Sequence, residues 1–473
     1  MDSETGKRLT SSSTIFTLPS PRRHRRHRRA MERKPTSATA LGRAWWGGVA
    51  AMAVAAHWQQ RDSSPLLAWA QWGWNSGVAS LALLAYALYR LALTPARVRS
   101  KNYHSSKNAR YKALRQKFFP PGFANGWHCV CNATDLENGR VHSIDALGTH
   151  MVAFRAEDGA VGVLDAFCPH LGAHLGSGGT VVGNSLRCPF HGWEFATSGK
   201  CTAIPYKTSK EVPERAKTKA YEVREILERV FIWFDAEGRP PAWELECHED
   251  LEEDVKSGAW YLGQQRTIEF EMHSCEMHMN SADPVHFQTL HAPMPFPVLE
   301  HMVTGLHTIK PTYGAGEMRG KMVQRPHLGH MAERTLGLWF FGCKWLPVPF
   351  SALAGANIDT GVTFEGPNIV HFMLSTPFGK LRLHKTLLSV EPFKQFVEAR
   401  WFAERRVPRW VVYFFTTLAA RALEQDRDVW DNKMYHKKPM LVAGDGPFPA
   451  FMRWYGQFYS ESSEEVGRRN IEW

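Results

Sequence analysis

"CPHLGAHLGSGGTVVGNSLRCPFHGWEF", Cys168 to Phe195, carries two cysteines and two histidines as Cys-x-His, seventeen residues, then Cys-x2-His. Cys168, His170, Cys188 and His191 fall into two pairs, each offering one thiolate and one imidazole, an arrangement by which two loops close on a metal. A tetrahedral structural zinc site is one reading of such a quartet. Three features favour an iron–sulfur cluster. Each loop supplies one ligand of each type. The Cys-Pro steps and Gly172, Gly176, Gly178 and Gly179 permit tight turns whose amides can face cluster sulfurs. The flanks read as strands, without the helix that carries a zinc finger's histidines. His174, inside the first loop, reads as a loop hydrogen-bonding residue rather than a fifth ligand.

Outward from the quartet, "HMVAFRAEDGAVGVLDAFC" alternates as a strand, a turn at Asp158-Gly159 and a second strand, and "YEVREILERVFIWFDAEGRPPAW" repeats the pattern from Tyr221. Residues 120–245 are therefore expected to form a small all-β domain. A mixed α+β region over 246–445 follows, and 446–473 reads as a polar tail ending in "SSEEVGRRNIEW". A chain of 473 residues exceeds what one core usually serves, in keeping with several domains.

The chain has 57 Lys and Arg against 46 Asp and Glu; the first 118 residues hold 21 and 4 of these, which leaves 36 and 42 for the rest. The basic excess thus belongs to the N-terminal leader, the body is mildly acidic, and no nucleic-acid partner is expected. Eight cysteines are too few for a disulfide framework. Cys129, Cys131, Cys201, Cys247, Cys275 and Cys343 read as free thiols in a reducing compartment.

Beyond the quartet, "CEMHMNSADPVHFQTLHAP" runs from Cys275 to Pro293. His286 and His291 are five apart, about 140° on a regular helix, so a local bulge or a helix end is needed to bring both to one metal. Two neutral imidazoles and one carboxylate with open positions suit non-haem Fe(II). "LEQDRDVWDNK", Leu423 to Lys433, offers Asp426, Asp428 and Asp431, which otherwise read as a solvated helix face.

Cys-x-His-x17-Cys-x2-His with "CPH" and "CPFHGWEF" resembles the Rieske 2Fe-2S motif, in which the cysteines bind one iron and the histidines the other. Asn280-x2-Asp283-x2-His286-x4-His291 resembles the mononuclear iron motif of Rieske non-haem iron oxygenases. The two resemblances together span about residues 120 to 445. They imply an all-β Rieske domain followed by a helix-grip-like α+β catalytic domain. They also imply Fe(II) at His286, His291 and Asp426, with Asp428 and then Asp431 as runners-up. In that family Asp283 does not bind iron; it bridges to a Rieske histidine of the neighbouring subunit in a homotrimer. No Gly-x-Gly-x2-Gly and no second cysteine cluster of ferredoxin spacing is present, so NAD(P)H would reach the chain through a separate reductase or ferredoxin.

The first 43 residues, with "RRHRRHRR", read as a disordered basic leader. Residues 44–96 hold a marginal apolar stretch, Ala44 to Trp58, and a longer one, Leu66 to Leu93, which is long enough to span a bilayer. Trp69, Trp72 and Trp74 would form an interface belt, and Arg90 would snorkel. The linker 97–119 carries Arg97, Arg99, Lys101, Lys107, Arg110, Lys112, Arg115 and Lys117, which positive-inside logic keeps cytosolic. With a membrane anchor at this end, the layout is similar to the Neverland-type cholesterol 7-desaturases of animals, with bacterial 3-ketosteroid 9α-hydroxylases as soluble relatives. The resemblance implies 7,8-desaturation of cholesterol, or alternatively sterol hydroxylation, at an endoplasmic reticulum membrane with the body facing the cytosol. A Rieske electron carrier without substrate chemistry is the remaining alternative. The apolar runs Leu338 to Phe350 and Val407 to Leu423 are candidate pocket walls.

Overall fold

A computed structural model describes residues 77–81, 114–115, 117–209, 211–246, 249–291, 303–340, 348–349 and 358–467. The leader and nearly all of 44–96 lie outside the described residues; residues 77–81 are helical and exposed. Among the described residues no helix is long and apolar enough to cross a membrane.

The first domain is built from short antiparallel strands. β1 (Gly126–Asn132), β2 (Val141–Ala146), β3 (Thr149–Arg155) and β4 (Val161–Asp165) are followed by β5 (Thr180–Val182), β6 (Ser185–Arg187), β7 (Glu194–Ala196), β8 (Cys201–Ala203), β9 (Val223–Ile226) and β10 (Arg229–Phe234). They form three sheets, β1-β10-β9, β2-β3-β4 and β5-β6-β7-β8. The expected hairpin at Asp158-Gly159 is β3–β4, with Gly159 at φ 90°. Val130, Ile144, Met151, Val163, Val230 and Ile232 form one core, and Val152, Leu164, Leu186, Phe195 and the two quartet cysteines form a second.

The second domain opens with α1 (Glu249–Lys256) and β11 (Trp260–Phe270), then α2 (Cys275–Met279), a 3-10 turn (Asn280–Ala282), α3 (Pro284–His286) and a π-helical turn (Phe287–His291). β12 (Val303–Met318), β13 (Lys321–Phe340), β14 (Val348–Pro349), β15 (Ile358–Glu365), β16 (Ile369–Thr376), β17 (Gly379–Glu391) and β18 (Lys394–Glu404) complete one antiparallel sheet, in the order β11-β18-β17-β16-β15-β13-β12 with β14 on β13. α4 (Arg409–Trp430) lies along it. Its buried residues Val411, Val412, Thr416, Ala420, Leu423 and Trp430 repeat at helical spacing. This is an α+β domain with one long helix against an antiparallel sheet, as the sequence leads one to expect.

Two hairpin tips of the first domain dock onto the second. The two-residue turns Leu147-Gly148 and Leu227-Glu228 have positive φ at both positions, the type I′ pattern that matches strand twist. Leucine and glutamate are poor choices for that conformation, and such strain persists where surroundings over-determine it. Here Leu147 N donates to Ser389 O at 2.9 Å. Leu227 N donates to Glu252, and Leu227 O accepts from Arg400 at 2.7 Å. Beneath the second tip, fully buried Arg229 pairs with Glu398 at 3.2 Å and donates to His384 Nδ1.

Two domain boundaries need correction. The segment beyond 445 is not a tail: α5 (Phe448–Gly456) and α6 (Ser463–Val466) follow, and Phe451, Trp454, Tyr455 and Phe458 are buried in the main catalytic core. Those aromatics sit at i, i+3, i+4 and i+7, a helical stripe that the polar residues after it obscure. The end of the basic linker is folded as well. Arg115 is 1% exposed and donates to the carbonyls of Trp430 (2.7 Å), Asp431 (3.2 Å) and Glu271 (3.3 Å). It is no free membrane-facing charge, because the open carbonyls at the end of α4 take it.

Candidate metal centres

The two quartet loops are built alike. Cys168 N donates to Ala173 O and Gly172 N to Cys168 O, both at 2.9 Å; Cys188 N donates to Trp193 O at 2.7 Å and Gly192 N to Cys188 O at 3.1 Å. Gly172 and Gly192 stand at φ 74° and 72°, where a side chain would be strained, so each loop turns back at its glycine. Both thiols are buried, and Cys168 is pushed up to about 11, by burial first and with a contribution from the adjoining Cys188 thiol. The His170 and His191 rings lie 4.7 Å apart between centroids.

His170 Nδ1 is buried and has no hydrogen-bond partner among the described residues, while Nε2 lies 3.4 Å from the Tyr206 hydroxyl. Trp193 stacks on the same ring at 4.8 Å and donates its indole N–H to Tyr206. Two facing thiols and a buried imidazole nitrogen that no hydrogen bond among the described residues takes up fit a two-cysteine, two-histidine iron–sulfur cluster. His174 accepts from the Gly176 amide at 3.1 Å, the loop role its sequence suggests.

The second site assembles from α3, the π turn and α4. A π turn closes i to i+5, so it puts His286 and His291 on one face where a regular helix would not. Asp283 caps α3: its Oδ1 accepts from Val285 N at 3.0 Å and His286 N at 3.1 Å, and its side chain is 35% exposed. Its carbonyl lies 2.6 Å from His286 Nδ1, and Gln425 Oε1 lies 3.1 Å from His291 Nδ1. With both Nδ1–H groups engaged, the two Nε2 atoms are left as the free donors, the orientation metal-binding histidines need. His291 Nε2 lies 3.2 Å from Asp426 Oδ1, and His286 Nε2 is buried without a hydrogen-bond partner among the described residues.

Asp426 is 6% exposed and accepts from Asn280 Nδ2 at 3.0 Å. Ligand atoms of His286, His291 and Asp426 all lie within 4.8 Å of one another, the single such triad among the described residues. Asp428, on the same helix, is exposed, and Asp431 turns to the other side, where burial pushes its carboxyl up to about 6. Burial lowers the His286 imidazole, and so does the charge of His291. Burial also acts to lower His291, but the hydrogen bond and charge of Asp426 outweigh it and hold that imidazole above its usual value. Two imidazoles and one carboxylate, with the rest of the sphere open, fit a mononuclear non-haem iron.

The triad opens on a cavity of about 310 Å³ between sheet and helix. Its walls are mainly apolar, with Met331, Val362, Phe372, Leu383 and Trp401 from the sheet. Phe415, Leu418, Ala419, Ala422 and Leu423 come from the run Val407 to Leu423. The other proposed wall, Leu338 to Phe350, lies outside the residues whose side chains are described. One wall residue that sequence reasoning missed is Lys385, 6% exposed, whose ammonium is pushed down to about 8 by burial, with Asp426 opposing. Gln425 and the capping carboxylate of Asp283 were also missed as orienting groups. Their only sequence signal is adjacency to a ligand and an Asp before Pro.

Residues 126–222 match the Rieske 2Fe-2S domain family, and 232–333 with 398–459 match the 3-ketosteroid 9alpha-hydroxylase C-terminal domain. The chain is 32% identical over 404 residues to cholesterol 7-desaturase nvd 1 of Ciona intestinalis, covering 82% of this chain and 83% of that one. It is 34% identical over 374 residues to the cholesterol 7-desaturase of Caenorhabditis elegans, covering 77% and 83%. A probable 3-ketosteroid-9-alpha-monooxygenase oxygenase component of Rhodococcus rhodochrous is 31% identical over 351 residues, covering 72% and 81%. Among solved structures, dicamba monooxygenase bound to 3,6-dichlorosalicylic acid superposes with a TM-score of 0.51 at 16% identity, covering 73% of this chain and 99% of that one, and shares the fold.

Proposed function

The chain belongs to the Rieske oxygenase family that includes the cholesterol 7-desaturases, and from that premise we propose that it removes hydrogen from C7 and C8 of cholesterol to give 7-dehydrocholesterol. The observation that carries this reading is the convergence of His286, His291 and Asp426 at the wall of an apolar cavity. The overall change consumes one dioxygen, two electrons and two protons and yields two waters.

When bound, a 2Fe-2S cluster at Cys168, His170, Cys188 and His191 supplies electrons one at a time, and iron at the triad supplies dioxygen activation. The protein's own work is positional. Asp283 and Gln425 hold the two imidazoles in one tautomer with Nε2 inward, and Asn280 fixes the carboxylate of Asp426. The apolar walls take up the sterol rings and exclude water from the reacting carbons.

Half-exposed Asp283 is the electron bridge to a Rieske histidine of a neighbouring subunit in a homotrimer, and a separate NAD(P)H-dependent reductase docks to supply the electrons. The stretch Leu66 to Leu93 anchors the chain in the endoplasmic reticulum membrane with the body in the cytosol, where a bilayer-partitioned substrate is at hand. Alkaline carbonate extraction should leave the full chain in the membrane pellet; release into the supernatant contradicts the anchor.

The activity is tested by reducing the full-length protein anaerobically, then adding oxygen and cholesterol and separating products by mass. 7-Dehydrocholesterol is expected. A hydroxysterol would retain the oxygenase and reject desaturation, and no sterol product would reject the substrate.

A further inference from the structure

The inward face of the catalytic sheet carries polar groups at two opposite corners of the cavity. At one corner are Glu333, Thr335 and Thr360, where Thr335 Oγ1 donates to Glu333 at 2.7 Å. At the other stands Lys385. The register pairs Lys385 with Val370, Val370 with Phe364, and Phe364 with Gly329, whereas Glu333 pairs with Thr360. The two residues are thus three strands and four positions apart, about 20 Å between backbones.

Lys385 is the unusual one. Its neighbour His384 faces the Rieske domain and takes a hydrogen bond from Arg229, so the strand's alternation turns Lys385 into the cavity. The side chain is almost fully buried and has no hydrogen-bond or ion-pair partner among the described residues. Its Nζ lies over the face of Phe372, 4.6 Å from the ring centroid. A cation–π contact offsets only part of what holding an ammonium in an apolar wall costs. Such a group persists where a ligand completes it. It lines the same cavity as His286, His291 and Asp426, and among the described residues no hydrogen bond joins it to any of them.

We propose that the Lys385 ammonium donates a hydrogen bond to the 3-oxygen of the sterol and thereby sets which ring carbon faces the triad. This rests on the sterol reading above. The 3-oxygen of cholesterol is five covalent bonds from C7, and Lys385 lines the same cavity as the triad. Lysine is purely a donor and a carboxylate purely an acceptor, which makes the two corners chemically distinguishable.

The test compares cholesterol, cholest-5-en-3-one, which can only accept at the 3-oxygen, and cholest-5-ene, which lacks that oxygen. Full-length wild-type protein and the Lys385→Met and Glu333→Gln variants are used, with iron content measured throughout. Wild type should turn over the ketone about as well as cholesterol and lose roughly tenfold to a hundredfold in kcat/KM on cholest-5-ene, mainly through KM. Lys385→Met should lose the same factor on cholesterol, little on cholest-5-ene, and keep its iron. Rejection of the ketone by wild type, equal losses on all substrates in Lys385→Met, or discrimination that moves with Glu333→Gln each overturns the assignment. If Lys385→Met fails to fold, the wild-type substrate series still decides between donor and acceptor. Turnover of no sterol at all by wild type is a different result, which removes the sterol reading itself.

Discussion

Asn280 Nδ2 donates to Asp426 Oδ1 across 3.0 Å, joining the turn before the histidine pair to a helix that begins more than a hundred residues later. The bond holds the Asp426 carboxylate in place beside His291. Asp426→Ala should therefore lose the mononuclear iron and all turnover while the cluster's spectroscopic signal persists. Asp428→Ala, on the exposed face, should stay within about 0.5 kcal/mol of wild-type stability and keep its activity. Asn280→Ala should weaken iron binding roughly tenfold to a hundredfold. Metal titration of the three variants checks all of this.

Asp283 has two separable duties. As a cap it needs only an acceptor oxygen, which asparagine also supplies, and caps of the two types are about equal. Asp283→Asn should fold normally and hold both metals yet fail in turnover if its charge is needed to carry electrons between subunits. Asp283→Ala should add a capping loss of about 1 kcal/mol. Full turnover by Asp283→Asn would leave Asp283 as a positioning residue alone.

Arg115 reaches from the linker to two carbonyls at the end of α4, four and five residues past Asp426, and to that of Glu271 just after β11. Arg115→Met should cost about 2–3 kcal/mol, because buried carbonyls lose a charged donor. Denaturant unfolding measures the loss, and Arg115→Lys should recover part of it.

How close the C-terminal segment comes to the site is shown at Gly446, where a Cβ would fall 1.5 Å from Ala282 O. Gly446→Ala should displace the Asp283 cap and lower iron occupancy. Gly456, at the end of α5, has nothing within 4 Å of a Cβ, and Gly456→Ala should be neutral or slightly stabilising, by up to about 1 kcal/mol. Equal behaviour of the two variants would separate the C-terminal segment from the metal loop.

The parts of this architecture legible in sequence are those whose information is local. A Cys-x-His and a Cys-x2-His each fit within one loop, and the repeated turn at Gly172 and Gly192 needs only neighbouring residues. The five-residue spacing of His286 and His291 already calls for an irregular helix, and a π turn supplies it. Choosing Asp426 over Asp428 and Asp431 is different. All three share a short helical stretch, and only the packing of α4 on the sheet determines which one turns inward. Lys385 carries no local sign of its role, since an alternating strand position is read as buried or exposed only after the sheet order is known. The hairpin tips at Leu147 and Leu227 were hidden for a further reason: tertiary contacts hold leucines where turn chemistry would choose Asn or Gly. The aromatic stripe of α5 was present in the sequence and masked by the polar residues that follow it.

The central claim is that electrons enter at the cysteine–histidine quartet and chemistry occurs at a separate iron held by His286, His291 and Asp426. Iron per chain, measured on purified full-length wild type and His286→Ala alongside the Rieske EPR signal, tests it most directly. The account predicts about three irons in wild type and about two in the variant, with the EPR signal unchanged. Two irons in both proteins, or zinc in place of a Rieske signal, would contradict it.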